Sequence, residues 1–168
     1  AEQGSPKAQN NIGAIYSEKS DDHEAFKWFH LAAEQGDSIA QANLGSSYLF
    51  GNGTNEDGVE AVKWLRLSAR QGDASGQYFL GAAYEFGDGV KLDEVEAFAW
   101  YLLAAEQGLS SAQNKVGDLY CSGRGVEVDF EESFKWNRLS AEQGNSNAQV
   151  SLAAHYTNGR FVEQNDVE

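Results

Sequence analysis

The chain has 168 residues, with 26 acids against 12 bases (net charge -14), 41% hydrophobic residues, one Cys and no Met. That apolar content can bury a core, and a lone Cys excludes an internal disulfide framework. The acidic balance argues against nucleic acid or an anionic membrane surface as partner, and no apolar run approaches the ~20 residues of a membrane span.

In chain order, a tetrad recurs as A-E-Q-G at 1–4, 33–36, 105–108 and 141–144 and as A-R-Q-G at 69–72. Trp28, Trp64, Trp100 and Trp136 are each 36 residues apart, as are Tyr48, Tyr84, Tyr120 and Tyr156. Such self-similarity is the mark of a repeat architecture. The repeats run over about 1–32, 33–68, 69–104, 105–140 and a partial 141–168. The first is four residues short between Tyr16 and Ala25 and lacks the G-x-G found at Gly51/Gly53, Gly87/Gly89 and Gly123/Gly125. With no starting Met, no signal peptide pattern and both ends inside a repeat, the expectation is a slice of a longer solenoid.

Each repeat reads as two helices. In the first, Ala40, Leu44 and Tyr48 make one apolar stripe. Ser5 before Pro6, Asp37, Asp73 and Asn145 are N-cap types, while Leu109 departs from this and leaves Ser110 as a candidate cap. The second helix opens Asp-x-x-Glu at Asp21/Glu24, Asp57/Glu60, Asp93/Glu96 and Asp129/Glu132, the signature of a capping box. Its packing stripe follows as Ala61, Trp64, Leu65, Ser68, which assigns the four Trp to packing. Gly36, Gly72, Gly108 and Gly144 stop it where a left-handed residue fits. Asn165–Glu168 match the start of another second helix. One hairpin cannot bury both faces, so neighbours must stack. The expected fold is all-α, a single α/α solenoid segment over 1–168.

The pattern A-E-Q-G-x3-A-Q-x2-L-G-x2-Y-x2-G-x-G-V-x2-D-x3-A-x2-W-x3-A-A resembles the Sel-1-like repeat (SLR) family, and residues 69–104 carry nearly all of it. A tetratricopeptide reading is second, with ~34-residue units and no G-x-G loop. The SLR resemblance implies a right-handed solenoid acting as an adaptor in protein complexes, with first helices on the concave side. Bacterial members include envelope and signalling proteins. Some act as dedicated inhibitors or immunity proteins, which is the alternative function. A cysteine-rich branch with one disulfide per repeat is linked to β-lactam chemistry. This chain, with Cys121 alone, departs from that branch, and it has no Ser-x-x-Lys, Lys-Thr-Gly or Ser-Asp-Asn. The reading is therefore non-enzymatic, with no cofactor. His23 and His30 beside Asp21, Asp22 and Glu24 are read as solvated, without a metal.

The first helices can be compared position by position. Take Ala8, Ala40, Gly76, Ala112 and Ala148 as zero, at about 100° per residue. Position +1 is always Gln, and +5 is Gly in four copies, which suggests close approach of adjacent first helices and a Gln bond to neighbouring backbone. Positions -1, +2, +6 and +9 are expected to face outward, and there the copies vary. The candidate partner-binding residues are Asn10, Leu49, Tyr78, Glu85, Asn114 and Asp118, with Tyr78 as anchor. The expected partner is another protein or peptide, basic if the acidic surplus acts; end-to-end self-stacking is a further expectation.

Overall fold

Thirteen-residue stretches bounded by a capping Asp and a stopping Gly recur along the chain, and in a computed structural model each is a helix. The structure describes residues 4–157, so the Asn165–Glu168 match and residues 1–3 of the first tetrad lie outside the described residues. The helices are α1 (Pro6–Glu18), α2 (Asp22–Glu34), α3 (Ser38–Phe50), α4 (Gly58–Arg70), α5 (Ala74–Phe86), α6 (Glu94–Glu106), α7 (Ser110–Ser122), α8 (Phe130–Glu142) and α9 (Ser146–Thr157). Among the described residues there is no strand, and no helix is long and apolar enough to cross a membrane. The helices fall into two compact units, divided between Asp93 and Glu94.

Within the first unit, α1 and α2 pair, as do α3 and α4, and α3 packs on α2 and α5 on both α3 and α4. The second unit repeats this scheme with α7 paired to α8, α6 against α7 and α9 against α8. Sequential hairpins thus stack in each. The core of the first unit is small and aliphatic, with Ala25, Ala32, Ala40, Leu44, Ala61, Leu65 and Leu80 fully or nearly buried. The four Trp are half-buried at the margin of the core, Trp64 packed against it, and the residue after each goes to the centre, as Phe29, Leu65, Tyr101 and Asn137.

The caps are local and mostly as expected. Asp57 accepts from the N–H of Val59 and Glu60, both at 3.0 Å, and Asp129 accepts from Glu131 and Glu132. At Asp57 and Asp129 the reciprocal half of the box is replaced by other bonds. The Asp57 and Asp129 N–H groups go to the carbonyls of Tyr48 and Tyr120, at 2.9 and 3.0 Å, closing each hairpin by backbone. Glu24, Glu60 and Glu132 instead pair with Lys27, Lys63 and Lys135 one turn on, exposed contacts that contribute little. Ser110 does not cap α7: it exchanges hydrogen bonds with Ser140 of α8. Ser5 makes no side-chain cap bond.

The glycines with positive φ divide into three jobs. Gly36, Gly72, Gly108 and Gly144, at φ 85 to 91°, follow the second helices. Gly51, Gly87 and Gly123 are left-handed caps on the first helices. The second Gly of each G-x-G also has positive φ and lies against the main chain of the preceding second helix's first turn. Gly53 meets Asp22 and His23, Gly89 meets Gly58 and Val59, and Gly125 meets Glu94 and Val95. The +5 Gly corrects a further expectation. A Cβ on Gly45 would lie 2.6 Å from Leu65 Cγ and 3.2 Å from the Ala61 carbonyl. Its small size therefore lets a first helix approach its own second helix rather than an adjacent first helix.

Position +1 builds a ladder between repeats. Gln41 Nε2 donates to the Ala33 carbonyl at 3.2 Å, and its Oε1 accepts from Gln71 Nε2 at 2.8 Å. Gln71 also donates to the Gly36 carbonyl. Gln113 and Gln143 repeat the arrangement with Ala105 and Gly108, and Gln35 donates to Gln9. The A-E-Q-G glutamine thus ties the end of a second helix to its own first helix and to the turn that precedes that helix. The buried Gln41 and Gln113 amides each find partners in this way.

Candidate functional site

The first-helix surface of each unit is where the sequence places the candidate residues, and the structure rotates it. Position +2 faces the neighbouring helices instead of solvent. Asn10 is 7% and Asn114 8% exposed; Asn43 Nδ2 of α3 donates to Asn10 Oδ1 at 2.9 Å, and Asn114 Nδ2 donates to Asn137 Oδ1 at 2.8 Å. Glu85 is buried at 4%. For Asn10, Asn114 and Glu85 the expected exposure is corrected. The cause is that a first helix is covered on three sides: by its own second helix, by the preceding hairpin and by the following first helix. The remaining open arc runs through -1, +6 and +10, about 40° from the expected centre at about 100° per residue. Leu49 and Tyr78 are half-buried, and Asp118 at +6 is exposed.

This rotation brings forward residues that sequence reasoning missed. Position +10 is Phe50 on α3 and Phe86 on α5, 58% and 63% exposed. Position -1 adds Ile39, and +6 supplies Ser46 and Ala82 between them. The Phe50 ring meets Phe79 edge-on at 6.0 Å, and Phe79 meets Tyr78 at 5.4 Å. The first unit therefore presents a ladder of rings, Phe50–Phe79–Tyr78, beside a floor of small side chains. Burial, with Glu85's charge second, pushes the Tyr78 hydroxyl above its ordinary pKa and keeps it neutral. The signal was available at +10 (Glu18, Phe50, Phe86, Ser122), but the assumed phase put that position on the flank.

In the second unit the same surface is polar. Asp118 accepts from Ser151 Oγ of α9 at 3.1 Å, with Asn114 Nδ2 at 3.5 Å. Ser133 of α8 bonds His155 Nε2 at 3.0 Å, and Phe134 packs edge-on to the His155 ring. Ser133 and Asn137 are fully buried and His155 is 4% exposed. Although Asp118 as a whole residue is exposed, partial desolvation of its carboxyl beside Ser151 of α9 and Asn137 of α8 pushes it above the usual carboxylate range. The Ser151 hydroxyl, the Lys115 charge, the nearby Asn137 amide and His155 draw it partway back. A carboxyl with a raised folded-state pKa favours the fold below its unfolded pKa. That contribution is lost as pH rises through the folded value. Asp118→Asn is expected to gain stability over the parent at about pH 7 and to converge with it near about pH 3. Urea unfolding at several pH values measures this; a gap that does not widen with pH refutes it.

His23 Nδ1 sits 3.3 Å from the Gly53 carbonyl, and His30 pairs with Glu34 and stacks edge-on to Trp64. These contacts separate the two His rather than converge them. Among the described residues no group of three or more His, Cys, Asp or Glu is placed to hold a metal ion. Cys121 is half-buried as a free thiol.

A Sel1 repeat model matches residues 6–37, 38–73, 74–109, 110–145 and 146–168. No curated protein matches the chain. Among solved structures, a protective antigen of uropathogenic Escherichia coli strains with an SLR fold is 40% identical over 99% of this chain, with TM-score 0.86. A Sel1 repeat protein from Oxalobacter formigenes is 37% identical over 92%, with TM-score 0.82. This chain spans 36% of the first and 65% of the second. Helicobacter pylori cysteine rich protein B, 20% identical over 78% of this chain and covered over 95% of its own, shares the fold at TM-score 0.61. Sel1 repeat proteins are generally non-catalytic scaffolds that bind other proteins. With Sel1 repeats matched over residues 6–168, this chain belongs to the Sel1 repeat family.

Proposed function

We propose that the chain is a non-catalytic interaction scaffold that binds a protein or peptide on its first-helix surface. The observation that carries this reading is the exposure of Phe50 and Phe86 at one register of neighbouring helices, where a soluble domain has no packing use for large rings. Tyr78 and Leu49 flank them half-buried, so their side chains are already partly ordered and lose little freedom on contact. Asp118 offers an acceptor on the second unit's surface. Asn10, Asn114 and Glu85 act from beneath, holding neighbouring side chains in place.

The test is panning of a random peptide library on the immobilised chain, followed by titration of selected peptides. Tyr78→Ala and Phe50→Ser are expected to weaken binding about tenfold or more. Leu67→Ser, on the exposed side of α4, should leave it unchanged. Binding that responds only to Leu67→Ser, or to none of the three, rejects this surface.

A further inference from the structure

The turn after α3 carries a reactive dipeptide. It reads Gly51-Asn52-Gly53, where the later G-x-G turns have Asp88 and Arg124 before the second Gly. The side-chain carbonyl of an Asn can be attacked by the backbone nitrogen of the next residue, one reason why Asn is thermolabile. A β-carbon on that next residue shields the nitrogen, and Gly has none. Among the described residues Asn52 is the Asn that precedes Gly. It is exposed, and neither its side-chain amide nor the Gly53 N–H takes a hydrogen bond within the described residues. Elsewhere the amides are occupied. Asn10 accepts from Asn43, Asn137 accepts from Asn114, and Asn145 accepts from the N–H groups of Asn147 and Ala148.

We infer that Asn52 is a site of spontaneous deamidation, and that its isoaspartate product unseats this turn from the start of α2. The inference goes beyond the scaffold reading and does not rest on it. The Gly53 nitrogen attacks the Asn52 side-chain carbonyl carbon and gives its proton to solvent. The side-chain nitrogen takes a proton and leaves as ammonia, closing a succinimide ring. Water then opens one of the two ring C–N bonds. Breaking the bond to the side-chain carbonyl leaves Asp, the residue type already present at Asp88. Breaking the bond to the main-chain carbonyl leaves isoaspartate, which routes the chain through the former side chain and adds a methylene to it. Both flanks of that bond are held. The Asn52 N–H donates to the Ser47 carbonyl at 3.0 Å. Gly53 lies against the main chain of Asp22, and its carbonyl is 3.3 Å from His23 Nδ1. A segment that lengthens between two fixed points must release one of them, and the Gly53 seat, made against main chain, has no side chain to adjust.

The experiment ages the parent chain and Asn52→Gln side by side in warm, mildly alkaline buffer. Trypsin digestion and mass spectrometry then locate each amide lost, and an isoaspartyl methyltransferase marks isoaspartate. Gln keeps the amide but would have to close a larger ring, which is slower, and circular dichroism checks that the variant folds. Expected is a growing loss of the Asn52 amide, with isoaspartate among the products, while Asn55 on the same fragment keeps its amide. Asn158–Gly159 repeats the dipeptide outside the described residues, on a separate tryptic fragment. It is common to both chains, so the difference between them isolates Asn52. The aged parent should unfold at lower urea concentration than the aged variant. Unaged Asn52→Asp, which has the charge without the added methylene, should unfold with the unaged parent. An Asn52 amide that stays intact in the folded chain overturns the site. Deamidation that yields no isoaspartate, or an aged parent that unfolds together with the aged variant, overturns the unseating of the turn.

Discussion

Gly89→Ala is expected to cost about 3 kcal/mol or more, most of it from main chain meeting a methyl group. Two effects add at this position. The residue has φ +70°, where an L side chain is strained by about 1 kcal/mol. A Cβ there would also fall inside contact distance of the Gly58 carbonyl and lie 2.6 Å from the Val59 nitrogen. Backbone cannot turn aside as a flexible side chain can, so the loop after α5 must lift off the first turn of α4. Gly72→Ala is the matched control. Its φ of +85° carries the same strain, yet a Cβ there meets nothing within 4 Å. Urea unfolding of the two variants therefore isolates the contact, and equal losses for both would show that the joint contributes nothing.

Asn137→Leu is expected to stabilise the second unit by about 1–2 kcal/mol. Asn137 is fully buried; its Oδ1 accepts from Asn114, but its Nδ2 lies near Asp118 outside hydrogen-bond geometry and has no partner. The chain contains its own template for the substitution. Leu65 fills the same place against Gly45, 2.6 Å from a Cβ built on that glycine, and Asn137 Cγ stands 2.7 Å from one on Gly117. The Leu should therefore fit without repacking. Asn114 loses an acceptor in the single variant, so Asn137→Leu with Asn114→Ala should gain more, matching the Leu65 and Ala42 pair. Thermal unfolding measures both. A lower melting temperature for the double variant would show that the amide pair supports the unit.

The helices and their ends were legible because their causes are local. Asp57, Asp129 and Gly72 act within a few residues of themselves, and a 36-residue period repeats each signal until it cannot be mistaken. The Gln at +1 was legible as structural for the same reason, although its second partner, the A-E-Q-G glutamine 30 residues on, was not. What could not be read was anything set by a neighbour on the far side. The phase of the open arc depends on how closely α5 lies against α3, and no residue within α3 encodes that. Asn10 and Asn114 look like surface residues until the adjoining helix covers them. Phe50 and Phe86 look like core residues until the same packing turns them out. The second Gly of each G-x-G read as a turn because its other partner, a helix start some 31 residues earlier, is invisible to spacing.

The joint at that second glycine has an evolutionary corollary. On one side it needs only the absence of a side chain, and on the other it meets main-chain atoms that every amino acid possesses. At Asp22 and Glu94 the seat is made of main chain alone, whereas at Gly58 a Cβ would itself lie 2.7 Å from the Gly89 nitrogen, so that joint takes no side chain on either side. A duplicated hairpin would find its seat on a sister hairpin of the Asp22 or Glu94 kind, so gene recombination can shuffle such units without redesigning their connections. The surface residues at -1, +6 and +10 then travel as interchangeable lettering on a uniform frame.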